Sequence, residues 1–267
     1  DTYKVLVTAG AIQSDSFADA TAAYAALDAN DGNVAAKVSV ANVDELNEKL
    51  GTKQLVQMSN NIDAGKDIVM ANGAVLDGSG YKLNKTSDVD PSVNAGVKTV
   101  GGTIKNIEVT GVSVQDGAKT RGFRAVYATN GLSGDLVIDN ATLSGTYALN
   151  ITGASTEYTL TVKNSKLYGW TSYAPLAGAK FENVTFGKAE GYHNLKPQAD
   201  TVLNECNFDS GFVMDTGAEG VTITLNKCKV NGTTVTAAKF ESLFAVEPDI
   251  VTKNCTIVVD GETVAFN

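Results

Sequence analysis

Arginine and histidine are nearly absent from this 267-residue chain: Arg121 and Arg124 are the only arginines, and His193 is the only histidine. With a net charge of −9, the sequence lacks the dense basic surface that holds a nucleic acid backbone, so no nucleic acid partner is expected. A strongly anionic polysaccharide would also be repelled, unless a local basic groove or bound calcium intervened. No apolar run approaches the ~20 residues that cross a bilayer, so no membrane span is expected. Three cysteines, an odd number, do not make a disulfide framework. No aspartate cluster has calcium-loop spacing, and there is no nucleophile triad, phosphate loop or zinc pattern, so no metal site is assigned. The chain opens on Asp1 rather than Met, which suggests a removed leader and an exported protein.

What the sequence does have is a repeated phrase. "LVIDNATLSG" at 136 returns as "LTVKNSKLYG" at 160, "AKFENVTFG" at 179, "TVLNECNFDSG" at 201 and "ITLNKCKVNG" at 223. Aligned on one central position, the anchors are Asn106, Asn140, Asn164, Asn183, Glu205, Lys227 and Asn254, with spacings of 34, 24, 19, 22, 22 and 27 residues. Irregular spacing near 20-odd residues suits a stack with constant strands and variable loops. Apolar residues alternate before each anchor, as in Leu160 and Val162, and resume after it, as in Leu167 or Phe186. Period-two patterning closed by Gly or Asn reads as two short strands joined by a bend at the anchor. One such unit cannot close a core, but parallel stacking buries a continuous one. The expected fold is therefore all-β, a parallel β-helix.

In that fold, the asparagines become a column of side-chain amides that can bond from one turn to the next, broken at Glu205 and Lys227. Cys206, Cys228 and Cys255 fall beside it and are expected as buried free thiols rather than a disulfide. Phe123, Tyr147, Tyr173, Tyr192 and Phe212 form a second column, expected to stack inside the core. Lys105, Asp139, Lys163, Glu182, Asn204, Asn226 and Lys253 are expected to line a solvated outer face.

"AVLDGSGYKL" at 74–83 and "GGTIKNIEVTG" at 101–111 resemble the opening coils of the pectate-lyase-like family of right-handed parallel β-helices, and the resemblance covers about residues 55–267. It implies a right-handed solenoid from a bacterial secreted or surface protein. The family includes polysaccharide lyases and hydrolases, with calcium as cofactor only for a lyase. The matching positions are structural, and Asp77 reads as a turn residue. Residues 1–54 differ: "SFADATAAYAALDA" puts Phe17, Tyr24 and Leu27 on one helical face, and "VDELNEKL" reads as a short amphipathic helix. They are assigned as an α/β cap over the end of the 55–267 domain. Residues 85–99 read as a long surface loop, and the protein is expected to be a monomer.

A glycoside hydrolase needs two carboxyl groups ~5 to 9.5 Å apart. A lyase needs a base beside positive charge on the substrate carboxylate. The best neighbourhood for either is around "SGFVM", with Asp215 or Glu190 as acid and His193 or Lys196 assisting. For binding, Tyr168, Trp170 and Tyr173 of "LYGWTSYAP", with Arg124, are the candidates, since flat rings stack on the apolar faces of sugars. Catalytic pairs are missing from the readable faces, so the expectation is non-catalytic carbohydrate recognition or adhesion. The alternatives are a polysaccharide lyase or hydrolase and a structural spacer in a surface assembly.

Overall fold

The computed structural model describes residues 38–52, 54–86 and 94–266, and Val38 to Asn267 form one compact unit. The helical face expected at Phe17, Tyr24 and Leu27 lies outside the described residues. Strands make up 54 % of the structure and helices 9 %, so the protein is all-β. One sheet of 24 strands dominates, and its pairings are parallel apart from two C-terminal hairpins.

The strands before and after each anchor stack on their counterparts one repeat away. Before the anchors, Leu136–Asp139 lies on Leu160–Lys163, which lies on Ala179–Glu182, Thr201–Asn204 and Thr222–Asn226 in turn. After the anchors, Thr142–Ser144 lies on Lys166–Tyr168, followed by Thr185–Gly187, Asn207–Phe208 and Lys229–Val230. A third ladder runs from Ile68–Met70 through Ala95–Thr99, Arg124–Ala128, Tyr147–Ile151, Trp170–Tyr173, Asn194–Pro197 and Val213–Met214 to Ala245–Val246. Alternate residues point inward, so Ile104, Ile138, Val162, Phe181, Leu203 and Leu225 are each fully buried at equivalent rungs. Each such side chain contributes about 1.5–3 kcal/mol when removed from water.

The anchor has a backbone cause. Asn106, Asn140, Asn164, Asn183, Glu205 and Lys227 all adopt φ between 50° and 53°. This left-handed conformation is open to Gly and Asn and costs other L-residues roughly 1–2 kcal/mol. It turns the chain sharply between two strands without an extra residue. The amides bond along the column as well: Asn140 Nδ2 donates to Asn106 Oδ1 at 2.9 Å, and Asn183 Nδ2 to Asn164 Oδ1 at 3.1 Å. Asn164 Nδ2 reaches instead to Asp139 Oδ1 at 3.1 Å. Asp77 accepts from the Ser79 amide at 2.9 Å, the turn role expected of it.

Helix α1 (Val43–Leu50) packs Leu46 and Leu50 against the first strands. Asn42 caps it by accepting from the Glu45 amide at 3.0 Å, while the Glu45 carboxylate accepts from the Ala41 amide. Residues 38–52, expected in the cap, therefore sit in the same compact unit as the stacked strands. At the other end, Phe240, Phe244 and Phe266 pack together, and two hairpins pair with the outermost strands.

Three expectations are corrected. Residues 85–99 are not one loop: Lys85 ends the strand Lys82–Lys85, and Ala95–Thr99 is a ladder strand. Buried Lys85 is held there by Asp67 and by the Ala95 carbonyl. Asn254, Lys253 and Cys255 do not continue their columns, because Ile257 pairs with Ile223 rather than with Val230. The chain bends one strand later, at Asp260–Gly261, whose φ values of 48° and 87° make a two-residue hairpin turn. Finally, the aromatic column is split. Phe123, Tyr173 and Phe212 are fully buried, whereas Tyr147 is half-buried and Tyr192 is 42 % exposed.

Candidate functional site

Strand register, not sequence spacing from the anchors, decides which rings meet. Arg124 lies opposite Tyr147, and Tyr147 opposite Trp170, with register shifts on either side of Tyr147. One extra residue at each shift puts Trp170, not Tyr173, opposite Tyr147, and Tyr173 pairs with Ile151 and Pro197 and faces the core. Gly169 permits the bend: at φ +113°, a Cβ would stand 2.0 Å from the Gly145 carbonyl oxygen.

The result is a row of planar groups, with Arg124, Tyr147 and Trp170 on consecutive rungs and Tyr192 in the turn before the next ladder strand. The Arg124 guanidinium sits 4.9 Å from the Tyr147 ring centroid and 5.2 Å from that of Tyr127. Tyr147 stacks on Trp170 at 5.0 Å and 7°, and Trp170 stacks on Tyr192 at 5.9 Å and 10°. These spacings follow the ~4.8 Å separation of paired strands, which holds the rings face to face. Burial raises the Tyr147 hydroxyl above its ordinary pKa against the opposing pull of Arg124, so it stays a neutral donor. Arg124 donates through Nε to Asn150 Oδ1 and through Nη1 to the Gly122 carbonyl, both at 3.0 Å. Trp170 Nε1 is buried and unpartnered among the described residues. Beside the row runs a polar column, Lys98, Tyr127, Asn150, Ser172 and Lys196, on paired rungs.

No family model, curated protein or solved structure matches the chain. The chemistry of the site is therefore read from its own atoms.

The row contains Trp170 and Arg124 of the four binding candidates. Tyr173 is excluded by burial, with its hydroxyl 2.6 Å from Thr201 Oγ1. Tyr168 lies on the neighbouring ladder, opposite Ser144 and Gly187, where its ring packs over Gly187. Tyr147 and Tyr192 are the members that a core-stacking expectation misassigns; their separation from Trp170 by one repeat length each was the available signal.

The catalytic candidates are each engaged. Asp215, 7 % exposed, receives Lys196 Nζ at 2.7 Å and the Thr216 amide at 2.7 Å. Glu190 Oε2 accepts from Ser113 Oγ and Thr146 Oγ1, both at 2.5 Å. His193 Nε2 lies 2.8 Å from the Gly211 carbonyl, and its Nδ1 is buried without a partner. Among the described residues no contact joins Glu190 to Asp215, and no group of three or more His, Cys, Asp or Glu side chains could hold a metal ion. Likewise, no described helix is long and apolar enough to cross a membrane.

A concavity of about 350 Å³ follows the anchor bend, lined by Glu182, Asn183, Asn204, Glu205, Asn226 and Lys227. Asn226 Nδ2 donates to Asn204 Oδ1 at 2.9 Å, and Lys227 lies 3.5 Å from Glu205. Its polar groups largely satisfy one another, and no ring lines it.

Proposed function

We propose that this chain is a right-handed parallel β-helix that recognises a polysaccharide without cleaving it, and that the Arg124–Tyr147–Trp170–Tyr192 row is where the sugar chain lies. Right-handedness follows from the strong preference for right-handed crossovers between parallel strands. The observation that carries the reading is the row itself: a cation and two rings on paired rungs, with Tyr192 stacked beyond them, beside a polar column. A rung of about 4.8 Å is close to the length of one pyranose in an extended chain, so each sugar would meet an equivalent group. The unpaired N–H groups of Arg124 and the unpartnered Trp170 Nε1 supply donors for hydroxyl or carboxylate oxygens.

A binding role is preferred to lyase or hydrolase chemistry because Asp215 and Glu190 are each saturated by separate partners. The resemblance to pectate-lyase-like proteins supports an exported or surface-displayed monomer. A structural spacer is the second reading, favoured by one observation: both faces of Trp170 are covered by its neighbours.

The test combines a glycan array with a reducing-sugar release assay. Recognition predicts retention on at least one polysaccharide, weakened about tenfold or more by Trp170→Ala, as expected for loss of a central aromatic contact, with no reducing ends released. Release abolished by Asp215→Ala or His193→Ala would establish an enzyme instead. Absence of both binding and release would favour the spacer.

A further inference from the structure

We infer that the turn Ala189–Tyr192 is a lid on this row, latched by Glu190, and that a sugar ring takes the place of Tyr192 on the outer face of Trp170. The inference rests on the recognition reading above and specifies how its site opens.

The turn is a small closed unit. Ala189 and Tyr192 exchange backbone hydrogen bonds at 3.0 and 2.8 Å, and Glu190 and Gly191 both have positive φ, 48° and 88°. From its tip, the Glu190 side chain reaches back across the ladder to Thr146 and to Ser113, which is 77 residues away. Ser113 Oγ and Thr146 Oγ1 lie 3.0 Å apart, so three oxygens meet at one point, and the Ser113 amide adds a longer bond of 3.3 Å to Glu190 Oε1. Nothing in the stacked strands requires this excursion, because the ladder strand proper begins only at Asn194. Its consequence is to set Tyr192 flat on Trp170.

Both ring faces of Trp170 are thereby covered. Tyr147 covers one face, Tyr192 covers the other, and the indole N–H is left buried with no acceptor. A buried donor without an acceptor is unfavourable. Tyr192 itself is 42 % exposed, so its cover is a single ring held by its stack and by the latch. Opening the turn would free one indole face and its N–H together, the two features that a sugar ring with a hydroxyl can satisfy at once. Closing it again would complete the ring stack in the absence of ligand. Tyr147 remains as the fixed floor.

Trp170 is the only tryptophan, so its fluorescence reports the lid directly. Acrylamide quenching is measured on the wild-type protein, Tyr192→Ala and Glu190→Asn. Asn keeps the left-handed backbone but is too short for the latch. Tyr192→Ala should raise the quenching constant, and Glu190→Asn should move it towards that value by opening the turn about tenfold, the worth of one charge-assisted hydrogen bond. Unchanged quenching in Tyr192→Ala, or in Glu190→Asn beside a raised Tyr192→Ala, would overturn the lid. Dextran, xylan and polygalacturonate are then titrated into all three proteins. Tighter binding to Glu190→Asn than to wild type is expected, and equal or weaker binding would refute displacement of Tyr192. If none of the three proteins binds any glycan on the array while quenching behaves as expected, the recognition reading fails and only the hinge survives.

Discussion

Asn140 donates from Nδ2 to Asn106 Oδ1 at 2.9 Å, although 34 residues separate them in the chain. Both residues hold the left-handed backbone conformation, at φ 50° and 52°. One residue type thus serves two needs: it tolerates the bend, and it bonds to the next rung. Replacing Asn140 by Ala should cost about 1–3 kcal/mol, from the left-handed backbone and the lost amide bond together. The converse holds where the column is interrupted. Glu205→Asn and Lys227→Asn should each stabilise the fold by up to about 1 kcal/mol, because the exposed Glu205–Lys227 pair they remove is worth little. Urea midpoints measured at constant m-value check both directions.

Tyr173 makes a prediction at high pH. Burial pushes its phenol above the ordinary value of 10.0, and the bond to Thr201 only partly offsets this. Because the folded pKa is the raised one, stability is fully present below pH 10 and falls as pH rises from there towards the folded value. Tyr173→Phe should cost about 1 kcal/mol at neutral pH through the lost hydrogen bond, yet decline less steeply in alkali. Denaturation midpoints between neutral pH and pH 11 test this; equal alkaline slopes for the two proteins would count against a buried phenol.

The thiols should react in a fixed order. Cys206 and Cys228 are stacked in adjacent rungs, buried, and donate to the Phe181 and Leu203 carbonyls. Hydrogen bonding with Cys228, and then burial, push the Cys206 thiol well above its usual range. Cys255 is only half-buried. An aromatic disulfide reagent should therefore modify Cys255 first in the native protein, with Cys206 and Cys228 following only as the protein unfolds. Peptide mapping of the first label identifies the residue, and early labelling of Cys228 would contradict the packing.

The parts of the fold that depend on local grammar were legible in the sequence. Alternation around the anchors gave the strand pairs, and the helix Val43–Leu50 was read from its apolar spacing. Asn254 was misread because its surroundings imitate an anchor and its φ of 51° is that of one, although the strand after it pairs a position earlier in the repeat. The Asp260–Gly261 and Asn231–Gly232 dipeptides were the missed clues, since consecutive positive φ at such pairs builds tight hairpins. The site was less legible. Two register shifts flanking Tyr147 put Trp170 opposite it and leave Tyr173 in the core, and a periodic reading does not register the extra residue at each shift. Glu190 is legible as a candidate acid, but its partner Ser113 lies too far away in sequence to be inferred.

The stacking of successive repeats is tested most directly by amide–amide nuclear Overhauser contacts in the deuterated protein. Parallel pairing in the register described predicts that Leu160–Lys163 contacts Ala179–Glu182, and that Ala179–Glu182 contacts Thr201–Asn204, with residue order running the same way in each strand. Close Hα–Hα contacts between these segments in opposite order, or no contacts between them, would contradict the stack and with it the row on which Trp170 meets Tyr147.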